Sequence, residues 1–550
     1  MPRMTGGQAL VESLKREGVK TIFGIPGVQL DWAFDALHAE RESIHVVHTR
    51  HEQATAYMAD GYARTTGEVG VFIVVPGPGL LNATAALATS YACSSPVLCI
   101  TGQITSDLID QGRGLLHEIP DQLGLIRHLT KWAARAMTPG DIPYIVHEAF
   151  RQLRSGRPRP VEIEIPPDVL QVTGEVRLGE PLPPEKNPGN PDLIEKAAQA
   201  LGKAERPLII VGGGVLSSHA WEEVGLLAKM LEAPVVMTQN GRGVMSDRGH
   251  LAQINLALAE LLPTADVVLA IGTRMLDFAG QPIPATPNRQ TIRIDADPGQ
   301  LHRPTSATIG ICADAKLATA ALVERVGRHN RKRDSRAPEL TALKRYLSGL
   351  FEQAEPHASF GRAMREELPD DAIFVSESTQ LGYWSSMGGL PIYEPRTFLT
   401  SGYQGTLGYG FPTALGAQVG NPHKRVVSLN GDGGFMFNVQ ELASAVQHEI
   451  PLTTIVFDDG AFGNVMQLQK LQFDGRTIAS NLKNPSFAKL AEVFGAQGIR
   501  AEGQDGFQGA LRDAAAYKGP TLIEVPIGEP LPLFYRDLRA QLQQRMAEAR

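Results

Sequence analysis

Short β-rich apolar runs alternate with amphipathic helical stretches along almost the whole chain. That alternation leaves few options. A strand followed by a crossover helix and a parallel neighbour builds an α/β domain, with helices on both faces of its sheet. The first block reads as a helix over Gly7–Gly18, strands Lys20–Gly24 and Ile44–His48, and a helix from about Glu52 to Arg64. Buried strands Val69–Val75, Pro96–Gly102 and Val161–Ile165 complete it. A second block carries strands Leu208–Val211, Val235–Thr238, Val267–Ile271 and Thr291–Ile294. A third carries Ala372–Ser376, Val426–Leu429, Leu452–Phe457 and Thr521–Val525. With 550 residues the chain exceeds what one core supports. The expected fold class is α/β, with three doubly wound parallel-sheet domains at 1–172, 191–327 and 355–530. A proline-rich linker at 173–190 and a polar linker at 328–354 join them, and a helical tail follows at 531–550.

Composition removes several function classes. Lys plus Arg minus Asp plus Glu is 52 − 59 = −7. Such a balance predicts no nucleic-acid footprint and no basic face for an anionic membrane. The basic run from Gly327 to Ala337 has no interleaved aromatics and reads as a solvated linker. The N-terminus has no apolar run after its first charge, so no signal peptide is expected. No window approaches the ~18 apolar residues of a membrane helix. Cys93, Cys99 and Cys312 lie in no metal-ligand or Cys-x-x-Cys spacing. They read as buried thiols, and the protein is expected in the cytoplasm.

The chemistry concentrates in the third block. The strand Val426–Leu429 runs into Asn430-Gly431-Asp432-Gly433-Gly434-Phe435, and a helix is expected from near Met436. Glycines at a strand-to-helix turn let backbone N–H groups approach a phosphate. A carboxylate beside that phosphate, Asp432, would be repelled unless a divalent cation bridged the two, and Mg²⁺ does this with few carboxylates. Alone, such a turn is common. The next strand adds weight, because it ends in Asp458-Asp459-Gly460-Ala461. One crossover helix fits between the two, so both acidic turns belong at the same carboxyl edge of the sheet.

Together with other segments, these turns resemble the thiamine-diphosphate enzymes of the acetolactate synthase-like superfamily. The resemblance rests on Phe23-Gly24-Ile25-Pro26-Gly27, Thr49-Arg50-His51-Glu52-Gln53, Ala59–Arg64, Gly77-Pro78-Gly79 with Asn82, and Gly402–Pro412. It implies thiamine diphosphate and Mg²⁺ as cofactors. Glu52 would hydrogen-bond N1′ of the cofactor's aminopyrimidine. The Gly405 carbonyl would accept from the 4′-amino group, and Leu407 would be the wedge that bends the cofactor. Gly433 and Gly434 would border the diphosphate, with Thr379 and Gln380 as donors to it. Asp432, Asp459 and the Ala461 carbonyl would hold the metal. The substrate pocket would be lined by Val28, Gln29, His117, Asn464 and Leu468. Glu52, His117 and Gln29 would be the catalytic set, with His117 as a proton donor.

Three departures from the family pattern stand out. Asp458-Asp459 replaces the usual Asn-Asn. Leu116-His117-Glu118-Ile119-Pro120-Asp121-Gln122 replaces the segment that usually offers a Gln. The central block has Val211-Gly212-Gly213-Gly214 and Ile294–Pro298 but no counterpart of the segment that helps hold FAD, so FAD is not expected. The resemblance implies C–C bond lyase or carboligase chemistry on a 2-oxo acid, with acetolactate synthase-like condensation leading. A non-oxidative decarboxylase of a longer, guanidino-substituted 2-oxo acid and a cyclic 1,2-diketone hydrolase are alternatives. A catalytically silent cofactor-binding homologue is the non-enzyme alternative. The expected partner is a small-molecule substrate. The expected assembly is a homodimer or homotetramer in which Glu52 and the metal site come from different chains.

Overall fold

A computed structural model describes residues 1–548; Ala549 and Arg550 of the expected tail lie outside the described residues. Three six-stranded sheets form the skeleton, and every pairing within them is parallel. Runs such as Val161–Ile165, Pro207–Val211 and Val267–Ile271 are buried along their entire length. That is why Pro207–Val211 and Val267–Ile271 read as continuous apolar runs, whereas Val161–Ile165 keeps an alternating Val-Glu-Ile-Glu-Ile pattern despite its burial.

The first sheet orders its strands 45–48, 21–24, 70–74, 97–102, 161–165, 132–135. The third orders 398–400, 373–376, 426–431, 453–458, 521–526, 497–500. Counted within each sheet, both are 2-1-3-4-6-5, so the outer domains share one topology that leaves no repeat in the sequence. The central sheet is 3-2-1-4-5-6, the dinucleotide-fold order. Edge strands 132–135, 252–254, 309–312, 398–400 and 497–500 are short and escape sequence pattern reading.

The stretches expected as linkers are more structured than their composition suggests. Thr173–Glu175 pairs antiparallel with Arg3–Thr5, fastening the start of the chain to the end of the first domain. The basic run is not a free solvated strap. The Arg333 guanidinium donates to the carbonyls of Leu201, Gly202 and Ala204, closing the C-terminal end of helix Pro191–Lys203. Helix Ala337–Glu352 then occupies most of the expected second linker, with Leu340, Leu347 and Phe351 buried. The tail forms helix Phe534–Glu548, and its Leu538 and Leu542 join the core that includes the central domain.

Within the chain, the outer domains meet through two helices, Glu52–Thr66 and Gly410–Gly420. A Cβ on Gly61 would lie 1.9 Å from the Thr413 carbonyl oxygen, and one on Gly416 would lie 1.9 Å from that of Met58. Backbone therefore packs on backbone at this crossing. The arrangement fixes Gly402–Gly410 relative to the first domain. Among the described residues no helix is long and apolar enough to cross a membrane.

Candidate active site

Strands Val426–Gly431 and Thr453–Asp458 are direct neighbours, with Gly431 opposite Phe457. Their ends place Asp432, Asp458 and Asp459 together at the carboxyl edge of the third sheet. The helix expected from Met436 starts earlier: Asp432–Phe435 is itself one helical turn, followed by Val439–Glu441 and helix Leu442–Gln447. The reason is local. Glycines 433 and 434 let the chain turn into helix immediately after the strand, and Asp432 takes the acidic first-turn position.

Asp432 is 2% exposed, and its carboxyl is pushed up to about 7 by burial and by the nearby Asp459. Asp459 is pushed up to about 6 by burial and by Asp458. Asn484 spans the cluster, its amide donating to Asp432 Oδ2 at 2.6 Å and to Asp458 Oδ1 at 2.8 Å. Sequence reasoning missed Asn484; the only local signal is its place just before Pro485 and a helix start.

Behind the acidic turn lies a second missed residue, Glu377. Its Oε1 accepts from the Gly408 backbone N–H at 2.6 Å, and burial pushes its carboxyl up to about 7. Its Oε2 is buried without a partner, and a Cβ on Gly434 would fall 2.2 Å from that oxygen. Glu377 thus ties the Gly405–Gly410 loop to the Gly433-Gly434 turn. An isolated Glu after a strand carries no motif that would reveal this.

Between these parts lies a cavity of about 290 Å³. Gly405, Leu407, Thr379, Gln380, Asp432, Gly433, Gly434, Asp459, Ala461 and Asn464 all line it, so the structure assembles this part of the expected site. Thr379 Oγ1 accepts from the Gly382 N–H at 2.8 Å and caps helix Gln380–Trp384. Gln380 Nε2 donates to Asn464 Oδ1, while Gln380 Oε1 stays buried and unpartnered. Asn464 Nδ2 in turn donates to the Ser378 carbonyl at 3.0 Å. Leu468 sits one helical turn further on and is 36% exposed.

The remaining expected residues gather elsewhere, at the carboxyl edge of the first sheet. Glu52 opens helix Glu52–Thr66, and its Oε2 accepts from Asn82 Nδ2 at 3.0 Å. Gln29 is buried and bonded to Leu116 and His117, while Val28 beside it is 62% exposed. No residue of this group lines the 290 Å³ cavity of the same chain. The two halves of the expected site are separate surfaces within one chain.

The donor set fits the expected cofactor. Among the described residues, no three His, Cys, Asp or Glu side chains are arranged to hold a metal by themselves. Two carboxylates that burial and neighbouring acids disfavour still call for a cation, and a diphosphate would supply the missing oxygens. The unpartnered Gln380 Oε1 and Glu377 Oε2 mark a polar pocket whose hydrogen bonding is incomplete, while the Gly433-Gly434 turn packs against Phe462 and Glu377.

A larger cavity of about 630 Å³ opens at the central sheet, bordered by Gly212–Gly214, Asn240, Arg274 and Asp295. The glycines there have a packing reason. A Cβ on Gly212 would lie 2.3 Å from the Gly272 carbonyl oxygen, and one on Gly214 would lie 2.6 Å from Gly272 Cα. Neither glycine argues for a dinucleotide. Of the three thiols, Cys99 is buried, while Cys93 and Cys312 are only half-buried, contrary to expectation; all three are free.

Comparison with known proteins agrees with this arrangement. Residues 4–125 match the N-terminal TPP binding domain of thiamine pyrophosphate enzymes, 194–322 the central domain, and 378–525 the C-terminal TPP binding domain. The probable acetolactate synthase large subunit of Methanocaldococcus jannaschii is 35% identical, over 96% of this chain and 93% of the relative. The acetolactate synthase of Arthrospira platensis is 34% identical over 96% and 94%. A probable 2-ketoarginine decarboxylase of Pseudomonas aeruginosa is 34% identical over 95% and 94%. The chain belongs to the thiamine pyrophosphate enzyme family, in its acetolactate synthase-like branch.

Proposed function

We propose that this protein is a thiamine-diphosphate and Mg²⁺ dependent carboligase that joins two 2-oxo acid molecules with loss of CO₂, two pyruvates giving acetolactate. The observation that carries the reading is the convergence of Asp432, Asp459 and the Ala461 turn beside the glycine-bordered cavity, at the carboxyl edge of two adjacent parallel strands. Bound thiamine diphosphate supplies a carbon nucleophile and a sink for the electrons released when CO₂ leaves. Every other task falls to the chain. Asp432 and Asp459, with the Ala461 carbonyl, would hold the cation and through it the diphosphate. Gly433 and Gly434 would carry the chain past the diphosphate in a tight turn into the helix. Thr379 and Gln380 would add polar contacts, and Leu407 with the Gly405 carbonyl would seat the pyrimidine. Glu52, oriented by Asn82, would hold a proton at the ring nitrogen of that pyrimidine.

Because Glu52 lies outside the cavity of its own chain, the site is completed by a second copy of the chain, in a dimer or a tetramer built from dimers. Val28, Gln29, His117, Asn464 and Leu468 then face the substrate. Three free thiols support a reducing, cytoplasmic setting.

A second reading has its own support. The probable 2-ketoarginine decarboxylase is about as similar as the synthases, and Leu116-His117-Glu118 departs from the synthase pattern. Under that reading one longer 2-oxo acid gives CO₂ and an aldehyde. The test is to supply purified protein, thiamine diphosphate and Mg²⁺ with a panel of 2-oxo acids and to follow CO₂ and products together. Acetolactate from pyruvate supports the carboligase. Aldehyde from a guanidino-substituted acid, with pyruvate inert, replaces it by the decarboxylase. No cofactor-dependent CO₂ from any acid refutes both.

A further inference from the structure

The N-terminal half of the site holds a polar arrangement that places a hydrogen on one particular histidine nitrogen. Gln29 is 7% exposed, lying between the end of strand Thr21–Gly24 and the helix from Asp31. Its amide makes two contacts. Nε2 donates to the Leu116 carbonyl at 3.1 Å, and Oε1 lies 3.1 Å from His117 Nδ1. A carbonyl oxygen only accepts, so the NH₂ end of the amide must face Leu116. The oxygen end then faces the histidine, and Nδ1 must carry a hydrogen to complete the bond. In the neutral ring that leaves Nε2 with its lone pair, and among the described residues Nε2 has no hydrogen-bond partner.

The backbone shows that this histidine is held rather than merely present. His117 has φ +69°, left-handed and unfavourable for a non-glycine residue. Its carbonyl oxygen packs against Gly77, where a Cβ would lie 2.4 Å away. The Gly77 N–H donates to Gln122 Oε1 at 2.9 Å, and Gln122 Nε2 donates to the buried Glu164 at 3.0 Å. One turn along the helix that Gly77 caps, Asn82 bonds Glu52. A connected set of contacts therefore runs from Gln29 through His117 and the Gly77 turn to the acid that orients the cofactor.

We propose that Gln29 is a positioning residue that fixes His117 as the Nδ1–H tautomer, so that His117 meets the substrate through an unprotonated Nε2. This rests on the functional reading above and reverses the sequence-based expectation of a proton donor. Nε2 so held takes the proton of a hydroxyl at the reacting carbon, or of a water there. The O–H bond breaks, an N–H bond forms, and the electron pair stays on oxygen. Gln29 Oε1 keeps its bond to Nδ1–H in the resulting imidazolium, which later returns the proton. The neutral ring accepts from an O–H donor at that position and adds nothing to the binding of the carboxylate or the carbonyl of the 2-oxo acid itself.

Few charges face the ring. From its own loop come Glu118, whose carboxylate accepts from the Leu115 N–H at 2.8 Å, and Asp121, which caps the following short helix. The Gly77 turn is uncharged. Behind it Glu164 is paired with Arg135, and from the Gln29 segment Asp31 is the nearest charge in sequence.

The test is the pH profile of kcat/KM for the cofactor-loaded enzyme, read beside histidine ¹⁵N spectra of the protein. Gln29→Glu places a carboxylate on Nδ1–H and favours the imidazolium, so the acidic limb should move up by about one pH unit or more. Gln29→Leu should lower the plateau of kcat/KM about tenfold while thiamine diphosphate affinity is kept. The His117 resonances, assigned with His117→Phe, should show a protonated Nδ1 and a bare Nε2 in the unsubstituted protein. An acidic limb that stays in place in Gln29→Glu, or spectra showing Nε2–H, overturns the proposal. If the unsubstituted enzyme releases no CO₂ from any 2-oxo acid, the functional reading fails instead. The spectra still decide the tautomer in that case, and also if a Gln29 variant does not fold.

Discussion

At the residue scale, the proposed function gives two carboxylates in different domains different work. Glu52 is presented singly, held by Asn82 at the start of a helix, as a proton-holding group requires. Asp432 is buried beside another acid, with the Gly433 N–H and the Asn484 amide as favourable contacts, as a cation ligand requires. Glu52→Gln should therefore lower cofactor-dependent CO₂ release by roughly 10²–10⁴-fold, the range of positioned acid–base groups, with calorimetric uptake of thiamine diphosphate preserved. Asp432→Asn should instead raise the Mg²⁺ concentration needed for half-maximal cofactor binding by at least about tenfold, since one of the two carboxylates proposed to hold the cation is lost. Gly434→Ala would push a methyl onto Glu377 Oε2 and should weaken cofactor uptake without abolishing folding; unchanged calorimetry would contradict the role given to that contact.

At the element scale, the strand-to-helix turns decide the site, and this is also where the sequence was most legible. The strand ending at Gly431 and the strand ending at Asp458 are each buried runs that end in glycine and acid. Their position, their adjacency and the edge they share follow from pattern and crossover length alone. Asn484 and Glu377 were not legible, because they reach the site from loops whose local sequence carries no period or motif. The arginine-rich run was misread because composition cannot show that Arg333 closes a helix end. The helix crossing at Gly61 and Gly416 was equally hidden, since a glycine within a helix gives no sign of what it faces. Gly61→Ala should cost about 1–3 kcal/mol by overpacking against the Thr413 carbonyl, read as a lowered midpoint in denaturant. An unchanged midpoint would mean that the two helices can separate freely.

At the scale of the whole molecule, the contact between the outer domains carries a pH dependence. His448, at the end of helix Leu442–Gln447, packs against the rings of His45 and His48 at 6.1 and 4.8 Å. Burial first, and then these two neighbours, lower it from the ordinary 6.5 to about 4. The unfolded chain then binds the proton more readily than the folded one. Stability from this group is full above pH 6.5 and is lost as pH falls from there towards 4. His448→Asn should flatten the decline in melting temperature across that window; an equally steep decline would assign it to other groups.

The largest claim at this scale is that one active site draws on two chains. Val465, Leu468, Leu471 and Phe473 stand between 36% and 58% exposed on or just after helix Gly463–Gln472, beside the cavity, an apolar surface suited to cover by a second copy. Subunit complementation tests the claim directly. Glu52→Gln and Asp432→Asn proteins are unfolded together, refolded as a mixture and assayed for CO₂ release at a Mg²⁺ concentration low enough to leave each one alone with little activity. Random pairing makes half the dimers mixed, each with one intact and one doubly damaged site, so activity should return to about a quarter of the unsubstituted level. A mixture as inactive as its two components would mean that Glu52 and Asp432 serve the same site within one chain, and the shared-site account would be wrong.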